Sequence, residues 1–349
     1  MSTLLIYGAT GYTGRLVAEE AALQGLRVVL AARNQRELER LAHELGLSWR
    51  SFALDEPGRL RAGLEGIGTV LNLAGPFSAT AAPLIDVCRD ARANYVDVTG
   101  EAAVLEAAAA RDAEARRDGI VLLPGAGFDV VPSDCLTKHL KNRMPGMQRL
   151  RLSISGLNRA SRGTTLTAIE AIGRGTLVRR EGQLVELPRP PRAEADFGDG
   201  PRPTVAVSWG DVATAWYTTA APWIEVHFEA SPALSALARA PAPIGAMLRS
   251  RPLKAVLKAL ARRAAAGPDA QSRAKGEARL LGEAWDESGR RIASLMRTPD
   301  PYALTALTAL AVAARVAEGA VPPGFHTPGA AFGADFVLGF DGVTRRDIA

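Results

Sequence analysis

The chain has 349 residues, 47% of them hydrophobic, at a mean hydropathy of +0.02; this excludes a disordered or fibrous chain and leaves room for two cored domains. Its net charge of +5 favours acidic ligands, but aromatics reach only 5% and form no stripe among the basic residues, so nucleic acid is not expected as a partner. Two cysteines without metal-ligand spacing, Cys88 and Cys135, exclude a disulfide framework and fit a reducing, cytoplasmic setting. No apolar run reaches the ~18–20 residues of a membrane span, and with the first strand at the N-terminus no signal peptide is expected before it.

In chain order, a short apolar run of strand type, Leu4 to Tyr7, ends in Gly8-Ala9-Thr10-Gly11-Tyr12-Thr13-Gly14. Glycines at these spacings let the backbone turn tightly, approach a pyrophosphate and pack a following helix on the strand. The helix expected from Tyr12 aims unpaired N–H groups and its positive dipole end at the same spot. Gly8, Thr10, Gly11, Tyr12, Thr13 and Gly14 are therefore the first candidates for binding a dinucleotide.

Leu26 to Ala32 is a second continuous apolar run, as in a buried parallel strand. It ends in Arg33, and Asn34 is a fitting N-cap for a helix from Gln35 to Leu45. About twenty residues past the glycines an acidic residue normally holds the NAD ribose. Arg33 stands there instead, and its planar fork suits a 2′-phosphate, so NADP (as NADPH) is the expected cofactor; the alternative is a solvated surface arginine. A third strand near Trp49 to Leu54 leads to Asp55, expected beside the adenine. Thr69 to Ala74 makes a fourth strand, and the turn Ala74-Gly75-Pro76-Phe77-Ser78 is expected to line the nicotinamide side of the pocket. Cys88, in a helix from Ala81 to Ala93, reads as a small core residue. Asn94 to Val98, a helix from Glu101 to Arg117 and a strand from Ile120 to Leu123 complete six alternating units of an open, mostly parallel sheet.

After the sixth strand comes Pro124-Gly125-Ala126-Gly127-Phe128-Asp129-Val130-Val131-Pro132-Ser133-Asp134. With the glycine loop, the AAR turn, AGPF and YVDVTGE, this set resembles the saccharopine dehydrogenase-like oxidoreductases. A late run, Phe325 to Gly333, is similar to the TP-A-x-G signature of the bacterial branch that includes trans-acting enoyl reductases. The resemblance implies a doubly wound Rossmann domain with an inserted α+β substrate domain, NADPH as cofactor, and an imine, keto or enoyl substrate that is a small molecule or is carried on a protein. The Asp-Pro-Gly of true saccharopine reductases reads Asp129-Val130-Val131 here, which points away from saccharopine itself.

Residues 1–145 are thus expected to form the nucleotide domain and 146–299 an α+β substrate and homodimerisation domain, with 300–349 packing back on the first. In the second half, Arg149 to Ser155 alternates as a half-solvated strand, and Thr164 or Thr165 is a candidate cap for a helix from Leu166 to Ile172. Leu187 to Pro203, rich in Pro, Arg and Gly, reads as a long surface loop or lid. Strands are expected at 204–208, 214–218, 223–229, 276–285 and 290–296, around a helical block at 233–265. Within that block Arg249, Arg251, Lys254, Lys258, Arg262 and Arg263 alternate with Leu248, Val256, Leu257 and Leu260. This basic amphipathic helix is either a solvated face or a docking surface for an acidic carrier or an anionic membrane.

Polar residues on the strand-end loops are the candidates for chemistry: Ser78, Tyr95 and Asp129 first, then Asp97, Glu101 and Asp134. Asp97 also reads as a turn residue, and Ser133 and Asp134 as helix caps. His43, His139, His227 and His326 show no ligand or triad spacing, so no metal site is expected. The alternative to a reductase is a non-catalytic nucleotide-binding scaffold that docks on lipid or protein partners through the basic helix.

Overall fold

The computed structural model describes residues 3–157, 161–171, 175–239, 250–263 and 266–348, which divide into two compact units, 1–135 with 302–340 and 136–301 with 341–349. The first unit holds a seven-stranded parallel sheet. Its strands are β1 (Thr3–Tyr7), β2 (Val28–Ala32), β3 (Ser48–Ser51), β4 (Ile67–Asn72), β5 (Asn94–Asp97) and β6 (Val121–Leu123), with Gly324–Phe325 as a short edge. The order across the sheet is 324–325, β6, β5, β4, β1, β2, β3. Strand order reverses between β1 and β4, and ligands of doubly wound sheets bind outside the carboxyl ends of the strands at that switch. The continuous apolar runs are buried as a two-sided sheet requires: Leu5, Ile6, Leu30, Val70, Leu71 and Val96 have no measurable exposure.

Helices α1 (Tyr12–Leu23), α2 (Gln35–Leu45), α3 (Pro57–Gly63) and α4 (Phe77–Ala91) follow β1 to β4. Asn34 caps α2 by accepting the Glu37 N–H, as its position implied. Cys88 lies in the core beneath the sheet, and burial alone pushes its thiol up beyond reach of ionisation. The single helix expected from Glu101 to Arg117 is two, α5 (Ala102–Ala109) and α6 (Asp112–Asp118). Arg111, at the break, pairs with Asp86 and Glu114, and Asp112 and Glu114 place negative charge in the first turn of α6. α7 (Val131–Arg143) follows β6, and a helix at Pro301–Ala317 buries Leu304, Leu310, Val312 and Val316.

The second unit is a nine-stranded mixed sheet. β7 (Arg149–Ser155), β8 (Thr176–Arg180), β9 (Gln183–Leu187), β10 (Arg192–Asp196), β11 (Pro201–Ala206), β12 (Trp223–Glu229), β13 (Glu277–Trp285) and β14 (Arg291–Pro299) are joined by Thr344–Ile348. The path runs β10, β11, β12, β7, β13, β14, 344–348, with the β8–β9 hairpin set against β12. Among the described residues only β12 and β7 run parallel in this sheet. Residues 341–349, expected on the nucleotide domain, belong here, because 344–348 extends the sheet from β14.

Three local expectations are corrected. The segment 187–203 is not a loop or lid: β10 and β11 form a hairpin whose turn is tied by the Asp196 carboxylate accepting the Gly198 and Gly200 N–H groups. Its two glycines take positive φ, and the prolines at 201 and 203 sit where the strand tolerates a missing donor. Residues 214–218 lie inside a helix, Asp211–Thr219, where burial of Val212, Ala213 and Ala215 overrides the strand preference of the threonines and aromatics. The helix expected from Leu166 starts earlier, as Arg162–Ala171, and its cap is Ser161, which accepts the Thr164 N–H, not Thr164 or Thr165. Leu248 and Arg249 of the basic stretch lie outside the described residues; the rest forms a helix at Arg251–Arg263.

Candidate functional site

The glycine loop sits at the switch point, between the end of β1 and the start of α1. Gly8 has φ +87°, and a Cβ there would come within 2.7 Å of the Ala74 amide nitrogen on the neighbouring loop. At Gly14 a Cβ would fall 2.1 Å from the Gly8 carbonyl oxygen, so α1 rests directly on the loop. Gly11 is the N-cap of α1 and has no side chain to occupy the helix end, and no acidic residue lies in the first turn. Its N–H closes the turn on the Gly8 carbonyl at 3.0 Å. A bare, close-packed helix N-terminus at the carboxyl edge of a parallel sheet is built to receive an anionic group. Thr10 and Thr13 lie on this loop and first turn, and the Tyr12 ring meets Tyr302 edge-on at 5.2 Å.

At the next strand, Arg33 projects from the end of β2 and is exposed. It faces the same ring as Asp55: the Tyr7 phenol, stacked on Phe52 at 5.3 Å, is raised chiefly by burial, with Arg33 pulling it down and Asp55 pushing it up. Arg33 and Asp55 therefore flank one patch beside the glycine loop, 22 residues apart in sequence. Among the described residues Arg33 forms no ion pair, which leaves its guanidinium open to a phosphate.

The ends of β4, β5 and β6 are tied by a buried polar network. Asn72 and Asp97 are paired across β4 and β5. The Asn72 amide donates to the Tyr95 hydroxyl and to Thr80, both at 3.1 Å, and its oxygen accepts the Ala74 N–H. The Tyr95 hydroxyl donates to Asp97 at 2.8 Å. Asp97 also accepts the Thr99 and Gly125 N–H groups at 2.9 and 3.0 Å, so one carboxylate holds two loops in place. Burial raises Asp97 to about 6 against the lowering by these hydrogen bonds. Tyr95 is fully buried with its hydroxyl committed on both sides. Those two bonds tie the ends of β4 and β5 together.

The Ala74–Ser78 turn contains a cis Gly75–Pro76 peptide and runs into α4. The start of that helix is already occupied. Glu101 accepts the Phe77 N–H at 2.8 Å and the Ser78 N–H at 3.2 Å, and its charge complements the dipole there. Ser78 is exposed at the outer rim of this turn. Asp129 lies on the opposite loop, where its carboxyl packs against Gly100; a Cβ at that glycine would stand 2.8 Å from Oδ2. The surrounding protein desolvates Asp129 and raises it to about 7 while part of its surface stays accessible. A carboxyl that titrates near neutrality at the carboxyl end of a central strand is suited to give or take a proton.

The two late motifs meet. Asp134 is buried and accepts the Gly329 N–H at 2.6 Å, and a Cβ at Gly329 would strike the Asp134 backbone. Thr327 caps the short helix Pro328–Phe332. Ser133 turns back on the Val130 carbonyl instead of capping α7 from outside. Asp134 is thus a clasp between segments 195 residues apart. Sequence reasoning overlooked Asn72 altogether and offered Glu101 as a candidate for chemistry without its tie to the start of α4; the usable signal for Asn72 was a polar residue at the end of each of two adjacent buried strands.

A glycine-loop parallel sheet of order 3-2-1-4-5-6 with a second, mixed-sheet unit defines a dinucleotide-binding α/β protein. Residues 4–123 match the saccharopine dehydrogenase NADP binding domain. Over 149 residues the chain is 30% identical to a trans-acting enoyl reductase of Mycobacterium leprae, covering 40% of this chain and 36% of that one. Over 163 residues it is 29% identical to a human saccharopine dehydrogenase-like oxidoreductase, covering 41% and 38%. The match spans little more than a third of the length of these relatives. An apo saccharopine dehydrogenase (L-Glu forming) from Saccharomyces cerevisiae shares the fold across the whole of both chains, with a TM-score of 0.65 at 10% identity. Residues 4–123 of the first unit are thus similar to the NADP binding domain of saccharopine dehydrogenases.

The tightness of the Asp97 node sets one expected result. Asp97→Ala leaves the Thr99 and Gly125 N–H groups buried without a partner and the Tyr95 O–H without its acceptor, at about 1–3 kcal/mol each. Urea unfolding should show a loss of at least about 3 kcal/mol. A loss under 1 kcal/mol, as for a surface residue, would mean that the node does not hold these loops.

Proposed function

We propose that the protein is an NADPH-dependent reductase acting on an imine, keto or enoyl group, with the enoyl thioester of a carrier as the substrate best supported by the relatives. The observation that carries this reading is the uncapped α1 terminus packed on Gly8 and Gly14 at the switch point of an NADP-binding domain. NADPH bound there supplies a hydride. The residues of the chain do the rest. Gly8, Gly11 and the first turn of α1, with Thr10, Tyr12 and Thr13, cradle the pyrophosphate; Arg33 takes the 2′-phosphate, and Asp55 stands at the adenosine end. Ala74, Gly75, Pro76 and Phe77 border the nicotinamide end, where Glu101 fixes the backbone. Asp129 delivers a proton to the reduced substrate from its side of the site, and Ser78 lies at the rim.

Incubating the protein with NADPH and a panel of enoyl, keto and imine substrates, free and as pantetheine thioesters, tests the reading. Oxidation of NADPH with the enoyl thioester is the expected result. The rival reading, a nucleotide-binding scaffold docking through helix 251–263, draws on the exposure of Val256 and Leu260 on that helix. It predicts NADPH binding with no turnover of any member. The absence of NADPH binding at tens of micromolar would remove both.

Arg33→Ala should lower the preference for NADPH over NADH by ~1–3 kcal/mol, the worth of a charge-assisted contact to the 2′-phosphate. The ratio of the two dissociation constants measures it, and an unchanged ratio would take Arg33 out of the site.

A further inference from the structure

The second unit carries a cluster that the proposed reaction does not use. On one face of its sheet, β12, β7, β13 and β14 place Trp223, Arg149, Trp285 and Arg291 side by side in register. Residues two apart on a strand share a face, so Glu225, Arg151 and Glu283 form the next row. That second row is internally satisfied. Glu283, almost fully buried, takes Arg151 at 2.6 Å and Arg291 at 2.9 Å. Glu225 takes Arg180 and, at 3.0 Å, His227; against the cost of burial these hydrogen bonds pull it down to about 2.

The first row is satisfied only at Arg291. Four guanidinium groups, those of Arg149, Arg151, Arg180 and Arg291, face two carboxylates. Arg149 is the one with no ion pair or hydrogen bond among the described residues; it stacks on Trp285 at 5.5 Å. Arg151 lies 5.4 Å from the same indole, and Arg180 lies 5.0 Å from Trp223, which is 36% exposed. Arg149, Arg151, Arg180, Trp223, Glu225 and Trp285 line a cavity of about 40 Å³. A single water needs ~10–15 Å³ by that measure, so the space admits a tetrahedral oxyanion.

We propose that this corner binds a phosphate monoester. The excess of two positive charges matches a dianion, the Arg149 fork can take two of its oxygens, and the flanking indoles accept a flat or apolar group attached to it. The ester is carried either by a nucleotide or by a phosphopantetheine arm. The site belongs to the second unit and does not rest on the proposed reaction.

Calorimetric titration of the protein holding one equivalent of NADPH with inorganic phosphate, AMP and 4′-phosphopantetheine tests the proposal, since the cofactor site is then filled with no excess of NADPH, itself a phosphate monoester, to compete. AMP or phosphopantetheine should bind more tightly than phosphate alone, and the tighter of the two names the source. Arg149→Gln should weaken that binding about tenfold or more with thermal stability unchanged, as an exposed arginine at a charge-assisted contact predicts. Arg33→Ala, titrated in parallel, should leave it intact. If Arg33→Ala loses NADPH preference while AMP still binds through Arg149, the two sites are separate. The proposal is overturned if none of the three probes binds at millimolar concentration. It is equally overturned if Arg149→Gln binds within twofold of the parent, or if Arg33→Ala alone removes the binding.

Discussion

Gly14→Ala is expected to abolish NADPH binding and to lower the melting temperature of the first unit. The new Cβ would lie 2.1 Å from the Gly8 carbonyl oxygen and 2.9 Å from the Ala9 Cα, both backbone atoms that cannot swing aside. α1 would have to lift from β1, taking its N-terminal N–H groups away from the phosphates they are placed to meet. Loss of at least two such contacts weakens binding by about 100-fold or more, at ~1.5–3 kcal/mol for each hydrogen bond to a charged group. Fluorescence titration with NADPH should therefore place Gly14→Ala far below the parent. Affinity equal to the parent's would show that the loop is not a phosphate cradle.

Asp129→Asn is expected to reduce NADPH-dependent turnover by ~10²–10⁴, the usual worth of a positioned general acid, with NADPH affinity unchanged. The sign of the pH dependence follows from the raised carboxyl. Asp129 is protonated below about 7 and ionised above it. As a proton donor it makes kcat/KM level on the acid side and falling as pH rises through 7, and the asparagine variant loses that limb. A profile unchanged by the substitution would assign the proton to another group. The same shift has a consequence for stability. Unfolded, the carboxyl titrates near its ordinary 3.9, so between about 4 and 7 the folded chain holds a proton that the unfolded chain has released. Its contribution is greatest below the unfolded value and is lost as pH rises through 7; Asp97, raised to about 6, acts in the same direction. Asp129→Asn should flatten the decline in stability from pH 4 to 7, as read by urea midpoints.

How far the sequence led can be judged at particular residues. The places of the glycine loop, Arg33 and Asp55 were legible because they depend on local spacing: a turn, a helix start and the end of the next strand follow from a few dihedrals and a period of two or 3.6. Asp129 was legible only as one polar residue among several on the strand-end loops. Its distinction arises from the protein that crowds it and from the missing Cβ of Gly100, 29 residues earlier in the chain. The commitment of the Tyr95 hydroxyl to Asn72 and Asp97 was not legible, because a tyrosine near a strand end carries the same local signal whether its hydroxyl is open or committed. The hairpin at 192–206 was missed because proline, arginine and glycine suggest a loop, whereas edge pairing with β12 decided the matter.

The sequence by itself determined the parallel sheet of the first unit, the placing of its glycine loop and the presence of a cation where NAD-binding chains carry an acid. Those features reside in contiguous residues, and the physics that specifies them is local. Only the tertiary structure decided that Glu101 occupies the start of α4, that Asp134 clasps Gly329 across 195 residues, and that Arg149 is the cation left over on its sheet face. Each of these depends on which strands lie side by side. Neighbours across a sheet are chosen by the packing of the whole unit, which no short stretch of sequence contains.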